Sequence, residues 1–433
     1  MSLFEDVPIR TNANVAVDED VTTEEPIVEP RFFAESIYPR PIDIQLPRRP
    51  LVPSFDTGIV PFGTCFAQGI AEDMGELGLR VHWRTEICHH FSPATLADAL
   101  ERAVGLVAHD QSDLITTPSG MISPYGYKFG HEYGQGSGAR DRVIARLAEI
   151  GAELTEALRD ARLIMLTLGT ARVVRLKLNR RAAVQIKMLP RDWWYTEMMD
   201  VDETIHCLNR IHGALAHYYG GPAAVPPMVV TVSPQRYLFT SDDISTDPFV
   251  DNSLNKSILR LAVDRFIAGN PDRDLVYFPS YEIVLDELRL FEPMQSLGDH
   301  AHIGNHTRPY VLRKFFRNFA APAVVEQLNL IADIEKFADE MSATMPLGLP
   351  PTEPRIIARL VDLLDRAEAL GAERGAKLSG MIARLTGLIA GTLDSDKRLD
   401  LMPTDDLSYL ISLLQHAKSL LEEDQDAGRV DLS

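Results

Sequence analysis

Two short apolar runs, RLIMLTLGT at 162–170 and PMVVTVSPQR at 227–236, constrain this chain more than any other feature. Each is a compact series of large aliphatic and β-branched residues, and each stops on residues that turn the chain, Gly-Thr in one and Ser-Pro in the other. Before the first lies ARDRVIARLAEIGAELTEALRDA (139–161), with apolar residues at helical spacing. After the second come the helical NKSILRLAVDRFIAG (255–269), the strand-like DLVYFPSYEIV (274–284) and a closing helix, TRPYVLRKFFRNFA (307–320). The same order occurs near the start. DTGIVPFGT (56–64) reads as a buried strand, CFAQGIAEDMGELGL (65–79) as a helix ending in Gly, and RVHW (80–83) as a second strand. Apolar strands without a polar face need cover on both sides, so the expected fold class is α/β, a mostly parallel sheet with helices on both faces.

A chain of 433 residues is long for one core, and one large plus one small unit is expected. Residues 1–30 carry eight acids and one Arg with little apolar periodicity, the pattern of a disordered acidic tail. PRPIDIQLPRRP then gives a Pro-rich extended strap over 31–50, and the α/β domain occupies 51–340. From 352 to 425 three amphipathic helices follow one another with no strand between them. That helical module either docks a partner or a second copy of the chain as a homodimer, or simply caps the α/β domain.

A formal net charge of -19 excludes a general nucleic-acid binder while leaving room for a local basic pocket. Three cysteines, Cys65, Cys88 and Cys207, imply no disulfide framework. The N-terminus lacks a basic segment followed by an apolar one, and no apolar stretch reaches the length of a membrane span. The expected location is therefore the cytoplasm.

In an open α/β sheet, ligands collect outside the carboxyl ends of the strands. Three polar segments fall at such ends: Gly63-Thr64-Cys65, Gly169-Thr170 and Ser233-Pro234-Gln235-Arg236. A fourth, GDHAHIGNH (298–306), precedes the last helix of the domain. A nucleophile opening a helix sits beside unpaired backbone N–H groups and the positive end of the dipole, which lower a thiol pKa and receive an oxyanion. Cys65 is the stronger intrinsic nucleophile, and Thr64 is hindered by its methyl. The competing reading, commoner for a free cysteine, makes Cys65 a small buried hydrophobe. Asp299 and His302 have the spacing that lets a carboxylate orient an imidazole whose other nitrogen takes a proton. Asp299, His300, His302 and His306 are also a metal-ligand set.

Taken in order, GTCFAQGIAEDM, HFSPATLADALERA, LTLGTARVVRL, VTVSPQRY, NKSILRLA, VYFPSYEIVLDELR and DHAHIGNH resemble the GSCFA-domain family, which belongs with the SGNH-type hydrolases and acyltransferases. The resemblance covers roughly residues 50–318. It implies a three-layer flavodoxin-like fold, a nucleophile after the first strand, a Gly-based oxyanion site and a late D-x-x-H. On this chain these are Thr64 or Cys65, then Gly169, then Asp299 and His302. Two departures stand out. The family motif has Ser where this chain has Thr64, which is harmless if Cys65 is the nucleophile. LTLGTAR also lacks the Asn of the usual Gly-x-Asn block, so Gly63, Gly169 and Thr170 are left to supply the oxyanion donors.

Further candidates carry less. RDWWYTEMM offers Trp193 and Trp194 as platforms for a sugar ring, although adjacent tryptophans more often belong to a core. Arg236 is placed to hold a phosphate or carboxylate, and Tyr281 and Glu282 to line or brace the pocket. CHH at 88–90 reads as structural, and Ser92 as the cap of the helix that follows. The function expected is transfer or hydrolysis of an acyl ester, with a carbohydrate or other small ester as substrate; the alternatives are a metal-dependent hydrolase using Asp299, His300, His302 and His306, and a non-catalytic binding or assembly protein. No tightly bound cofactor is called for, and acetyl-CoA is the expected soluble donor.

Overall fold

The computed structural model describes residues 42–128, 134–184, 186, 189–238, 247–289, 301–304 and 307–344, and beyond these only 359, 362–363, 365–367 and 369–370. The acidic tail over 1–30, residues 31–41 of the strap and most of the module expected over 352–425 lie outside the described residues.

Strand β1 (Gly58–Phe62) is buried throughout and runs into helix α1 (Cys65–Glu76). The short α2 (Thr85–Cys88) precedes α3 (Pro93–Ala103), whose first turn is capped by the Ser92 hydroxyl accepting from the Ala94 N–H. A small antiparallel pair, β2 (Ile115–Thr116) and β3 (Ile122–Ser123), leads to the long α4 (Ala139–Asp160) and to β4 (Ala161–Leu168). Next comes an antiparallel ribbon of β5 (Arg172–Leu176), β6 (Ala182–Ala183) and β7 (Trp194–Met198), in the order β6-β5-β7. Helix α5 (Val201–Tyr219) starts with an Asp200/Glu203 capping box, and β8 (Met228–Val232) follows. Then come α6 (Pro248–Ala268), β9 (Leu275–Tyr277), the single turn α7 (Ser280–Glu282), α8 (Thr307–Phe319) and α9 (Pro322–Thr344).

The main sheet has the order β1-β4-β8-β9, and every pairing in it is parallel. The second strand expected over 80–83 is realised as one parallel bridge, Val81 against Ile59, on the outer edge of β1. The chain therefore steps outward from β1 to Val81 and then crosses back to β4. That reversal is the flavodoxin-like pattern, and it puts the switch point at the carboxyl ends of β1 and β4.

Alternation along β4 builds the two faces of the sheet. Leu163 and Met165 join the core under α1, α8 and α9, while Ile164, Leu166 and Leu168 join the core under α3, α4, α5 and α6. The result is a three-layer α/β fold. Residues 42–50 lie along the first face, where the buried carboxylate of Glu287 accepts from the Ile44 N–H (3.0 Å) and pairs with Lys314 (3.1 Å). Leu363 and Ala367 are buried in the same core, and Arg366 pairs with Asp333 of α9 at 2.8 Å.

Candidate active site

The turn that delivers Cys65 to the end of β1 depends on glycine. Gly63 has φ +141°, and a Cβ there would lie 2.2 Å from the Thr167 carbonyl oxygen. Gly169, at the end of β4, is equally constrained: its Cβ would meet Thr64 Cγ2 at 2.4 Å. The two strand ends thus approach more closely than any residue with a side chain allows.

Polar residues on one face of α6 hold the ends of β4 and β8 from below. Lys256 is fully buried, and its ammonium donates to the carbonyls of Gly169 (2.7 Å) and Ser233 (2.9 Å). The Asn255 side chain accepts from the Ala171 N–H, that of Asn252 from the Tyr237 N–H (2.9 Å), and Asp251 pairs with the buried Arg172. Burial pushes the Lys256 pKa down to about 7, while its two carbonyl acceptors favour the charged form.

The structure separates the two candidate nucleophiles. The Thr64 hydroxyl is turned into the fold, accepting from the Phe66 N–H (3.1 Å) as the N-cap of α1 and donating to Ser233 Oγ (3.3 Å). Cys65, only partly buried, opens onto a cleft of about 300 Å³. Cys65, Gln68, Gly69 and Glu72 form one wall, at helical spacings on a single face of α1. Gln235, His302, Ile303, Gly304 and Arg308 complete the lining. Arg308 also pairs with Asp73 at 3.0 Å.

His302 is exposed in this cleft, on a segment anchored by the buried Ile303 and by the Arg236 N–H donating to the Ala301 carbonyl (2.9 Å). Cys65 and His302, far apart in sequence, therefore face one space. Asp299, His300 and His306 lie outside the described residues. Among the described residues, no group of three metal-ligating side chains comes together.

The sequence reading missed a second histidine at Cys65. His89 continues the edge of β1 by pairing in parallel with Gly63, and its Nε2 is 3.7 Å from Cys65 Sγ. The ring is completely buried, with Trp83 and Phe91 against it edge-on. Lys128 Nζ lies 3.1 Å from His89 Nδ1 and 3.5 Å from Nε2. Burial first, and then the Lys128 charge, pushes the His89 pKa down to about 4. The helix terminus does not make Cys65 a standing thiolate, contrary to the expectation from its position. Burial raises the thiol pKa more than Lys128 and the Cys65 amide lower it.

The expected oxyanion amides are already engaged. Gly169 N–H (3.0 Å) and Thr170 N–H (2.9 Å) both donate to the Phe91 carbonyl, and Gly63 N–H donates to that of Cys88 (2.8 Å). The Thr170 hydroxyl accepts from the Arg172 N–H (2.8 Å). The segment 88–91 thus closes over the ends of β1 and β4 and uses these donors itself. The Cys65 amide, first in its helix, has no acceptor within the helix.

The remaining candidates lie elsewhere. Trp194 is buried in a satellite core with Tyr125, Val174, Leu176, Ala183 and Leu189, Trp193 packs beside it, and Arg191 stacks on the Trp194 ring at 4.0 Å. Neither tryptophan lines the cleft. Glu282 accepts from the Tyr277 hydroxyl (2.8 Å) and from Arg260 (3.1 Å), and Tyr281 packs at the edge of the main core, so both brace β9 rather than line the cleft. The Arg236 guanidinium lies over the Phe249 ring at 5.4 Å. No described helix is long and apolar enough to cross a membrane.

The model of the GSCFA family matches residues 58–315, which span every segment that lines the cleft. No curated protein and no solved structure matches the chain.

Proposed function

Because the chain belongs to the GSCFA family, we propose that it transfers or hydrolyses acyl esters through an acyl-enzyme on Cys65. The observation that carries this reading is the shared cleft, where Cys65 opens toward His302 while the neighbouring Thr64 hydroxyl is spent inside the fold. A thiol whose pKa is raised by burial needs a base at the moment of attack, and His302 is that base. It takes the Sγ proton as sulfur bonds to the acyl carbon and the carbonyl electrons move to oxygen. On collapse, the bond to the leaving alcohol or thiol breaks with its electron pair, and His302 returns the proton to it. A sugar hydroxyl or water, deprotonated by His302, then attacks the thioester, and the electron pair returns to Cys65.

Asp299, which precedes His302 in the D-x-x-H segment, holds the imidazole tautomer in this scheme. The Cys65 amide and the Gln235 side-chain amide supply the oxyanion donors, a role the Gly169 and Thr170 amides give up to Phe91. An acetylated carbohydrate is the proposed substrate class, with acetyl-CoA as donor when the reaction runs as transfer.

The test is release of 4-nitrophenol from 4-nitrophenyl acetate, and of CoA from acetyl-CoA with oligosaccharide acceptors. Cys65→Ala and His302→Ala abolish turnover, whereas Thr64→Ala retains it. Turnover that survives in Cys65→Ala and disappears in Thr64→Ala would return the reaction to the hydroxyl.

A further inference from the structure

We infer that Arg308 recognises an anion in the cleft: its Nη1 receives a carboxylate that the substrate carries about one helical turn from the reacting carbonyl. The ester handled at Cys65 is therefore an acidic one. This inference rests on the acyl-transfer reading of the cleft and narrows its substrate class.

The placement follows from how α8 meets α1. Arg308 is the second residue of α8, and its side chain lies across α1 at Gly69. A Cβ on Gly69 would stand 2.4 Å from Nη1, 3.0 Å from Cδ and 3.1 Å from Cζ, so glycine is what lets the guanidinium rest there. Cys65 and Gly69 are four residues apart on one face of α1, a spacing that sets Cβ positions about 5–6 Å apart. Cys65, Gly69 and Arg308 all line the same cleft.

The guanidinium is engaged along one edge and open at another. Its Nη2 donates to Asp73 Oδ1 (3.0 Å), and its Nε lies 3.0 Å from Oδ2. That side-on pairing fixes the plane of the fork. Among the described residues none accepts from Nη1, the guanidinium nitrogen nearest Gly69. The side chain is 34% exposed, so a ligand can reach it.

The rest of the lining agrees. Arg308 is the only Arg or Lys among the described residues that line the cleft, and the side chains around it are polar apart from Cys65 and Ile303. Such a lining suits a small polar ester rather than a long alkyl acyl chain. Glu72, the acid in the cleft, lies further along α1 and accepts from Gln68 Nε2 (2.9 Å). Arg236, expected from the sequence to hold an anion, has its guanidinium over Phe249 and does not line the cleft. Arg308 takes that role instead. Two sources of the carboxylate fit: an acidic sugar that bears the ester, or an acyl chain that ends in a carboxylate.

The first test needs no acyl transfer. Cys65 is alkylated with iodoacetate or with iodoacetamide, one anionic and one neutral, and the rates are read at the Cys65 peptide by mass. Lys128 adds its positive field at the sulfur in every variant, so the change between variants isolates Arg308. Arg308→Met is expected to lower the ratio of the iodoacetate rate to the iodoacetamide rate about five-fold. That variant leaves Asp73 unpaired, so Arg308→Met with Asp73→Leu is measured beside it. The double variant keeps no carboxylate there to repel the reagent, and the same fall is expected. An unchanged ratio in the folded double variant would overturn the inference.

The second test uses turnover and separates the two sources. Acetate release is compared between an acetylated oligogalacturonide and its carboxyl methyl ester. Release of 4-nitrophenol is compared between mono-4-nitrophenyl adipate and 4-nitrophenyl hexanoate. The acidic member of one pair is expected to have the higher kcat/KM, with that preference falling about five-fold in the double variant. Preference in the first pair puts the carboxylate on the sugar, and preference in the second puts it on the acyl chain. Equal kcat/KM within both pairs would overturn the inference. An Arg308-dependent iodoacetate preference in a protein that turns over no ester would sink the acyl-transfer reading and leave the anion site standing. Ester turnover indifferent to Arg308 would sink this inference alone.

Discussion

Replacing Lys256 by Met removes a buried ammonium that ties the ends of β4 and β8 together, and the structure gives the result a distinctive pH dependence. The two donors lost leave the carbonyls of Gly169 and Ser233 without their ammonium partner, at about 1–3 kcal/mol each. Acting against this, the variant no longer buries a charge. With a folded pKa of about 7 against an ordinary value of 10.5, the unfolded chain binds more protons than the folded one between those pH values. Wild-type stability therefore rises with pH across that window, by about 1.4 kcal/mol per unit where the difference is a full proton. Allowing for partial titration at both ends, the gain from pH 7 to pH 9 is about 2 kcal/mol. Lys256→Met lacks this titration, and the other groups cancel in the comparison. The destabilisation caused by Lys256→Met is thus expected to grow by about 2 kcal/mol between pH 7 and pH 9. The assay is urea unfolding of both proteins at the two pH values. A destabilisation that is constant, or that shrinks toward pH 9, would refute a buried lysine with a depressed pKa.

Gly63→Ala is expected to cost at least about 2 kcal/mol in urea unfolding, because its Cβ has no room beside the Thr167 carbonyl and its φ is one that side chains avoid. Thr64→Val should lose about 1 kcal/mol with the N-cap but keep acyl transfer, and Thr64→Ser should recover the stability. Arg172→Met leaves Asp251 buried without its partner, and unfolding should show a loss of about 3–5 kcal/mol. The double change Arg172→Met with Asp251→Leu should recover much of that loss.

The sheet was legible where a segment's local pattern agrees with its place in the fold. The runs at 163–168 and 228–232 are buried throughout, and their aliphatic and β-branched character says so. RVHW formed only a bridge at Val81, because it pairs with Ile59 on one side and the chain then leaves the edge for α2. The ribbon of β5, β6 and β7 was harder to read. Its Arg172 and Arg175 interrupt the apolar pattern, and they are accommodated by pairing with Asp251 and Glu197.

The same distinction applies within the site. Gln68, Gly69 and Glu72 could be placed in the cleft from their helical spacing to Cys65. His89 could not, because only the long-range pairing of its backbone with Gly63 brings it to the sulfur. The buried polar face of α6 resembles a solvated helix face in sequence. Its residues are buried because the carbonyls and amides at the strand ends are their partners.

The central claim is that Cys65 carries the acyl group, and acid-quenched mass spectrometry after brief exposure to acetyl-CoA or 4-nitrophenyl acetate tests it most directly. The account predicts one acetyl group on the peptide that begins helix α1, localised to Cys65, present in Thr64→Ala and absent in Cys65→Ala. An acetyl group on Thr64, or an adduct that persists in Cys65→Ala, would contradict it.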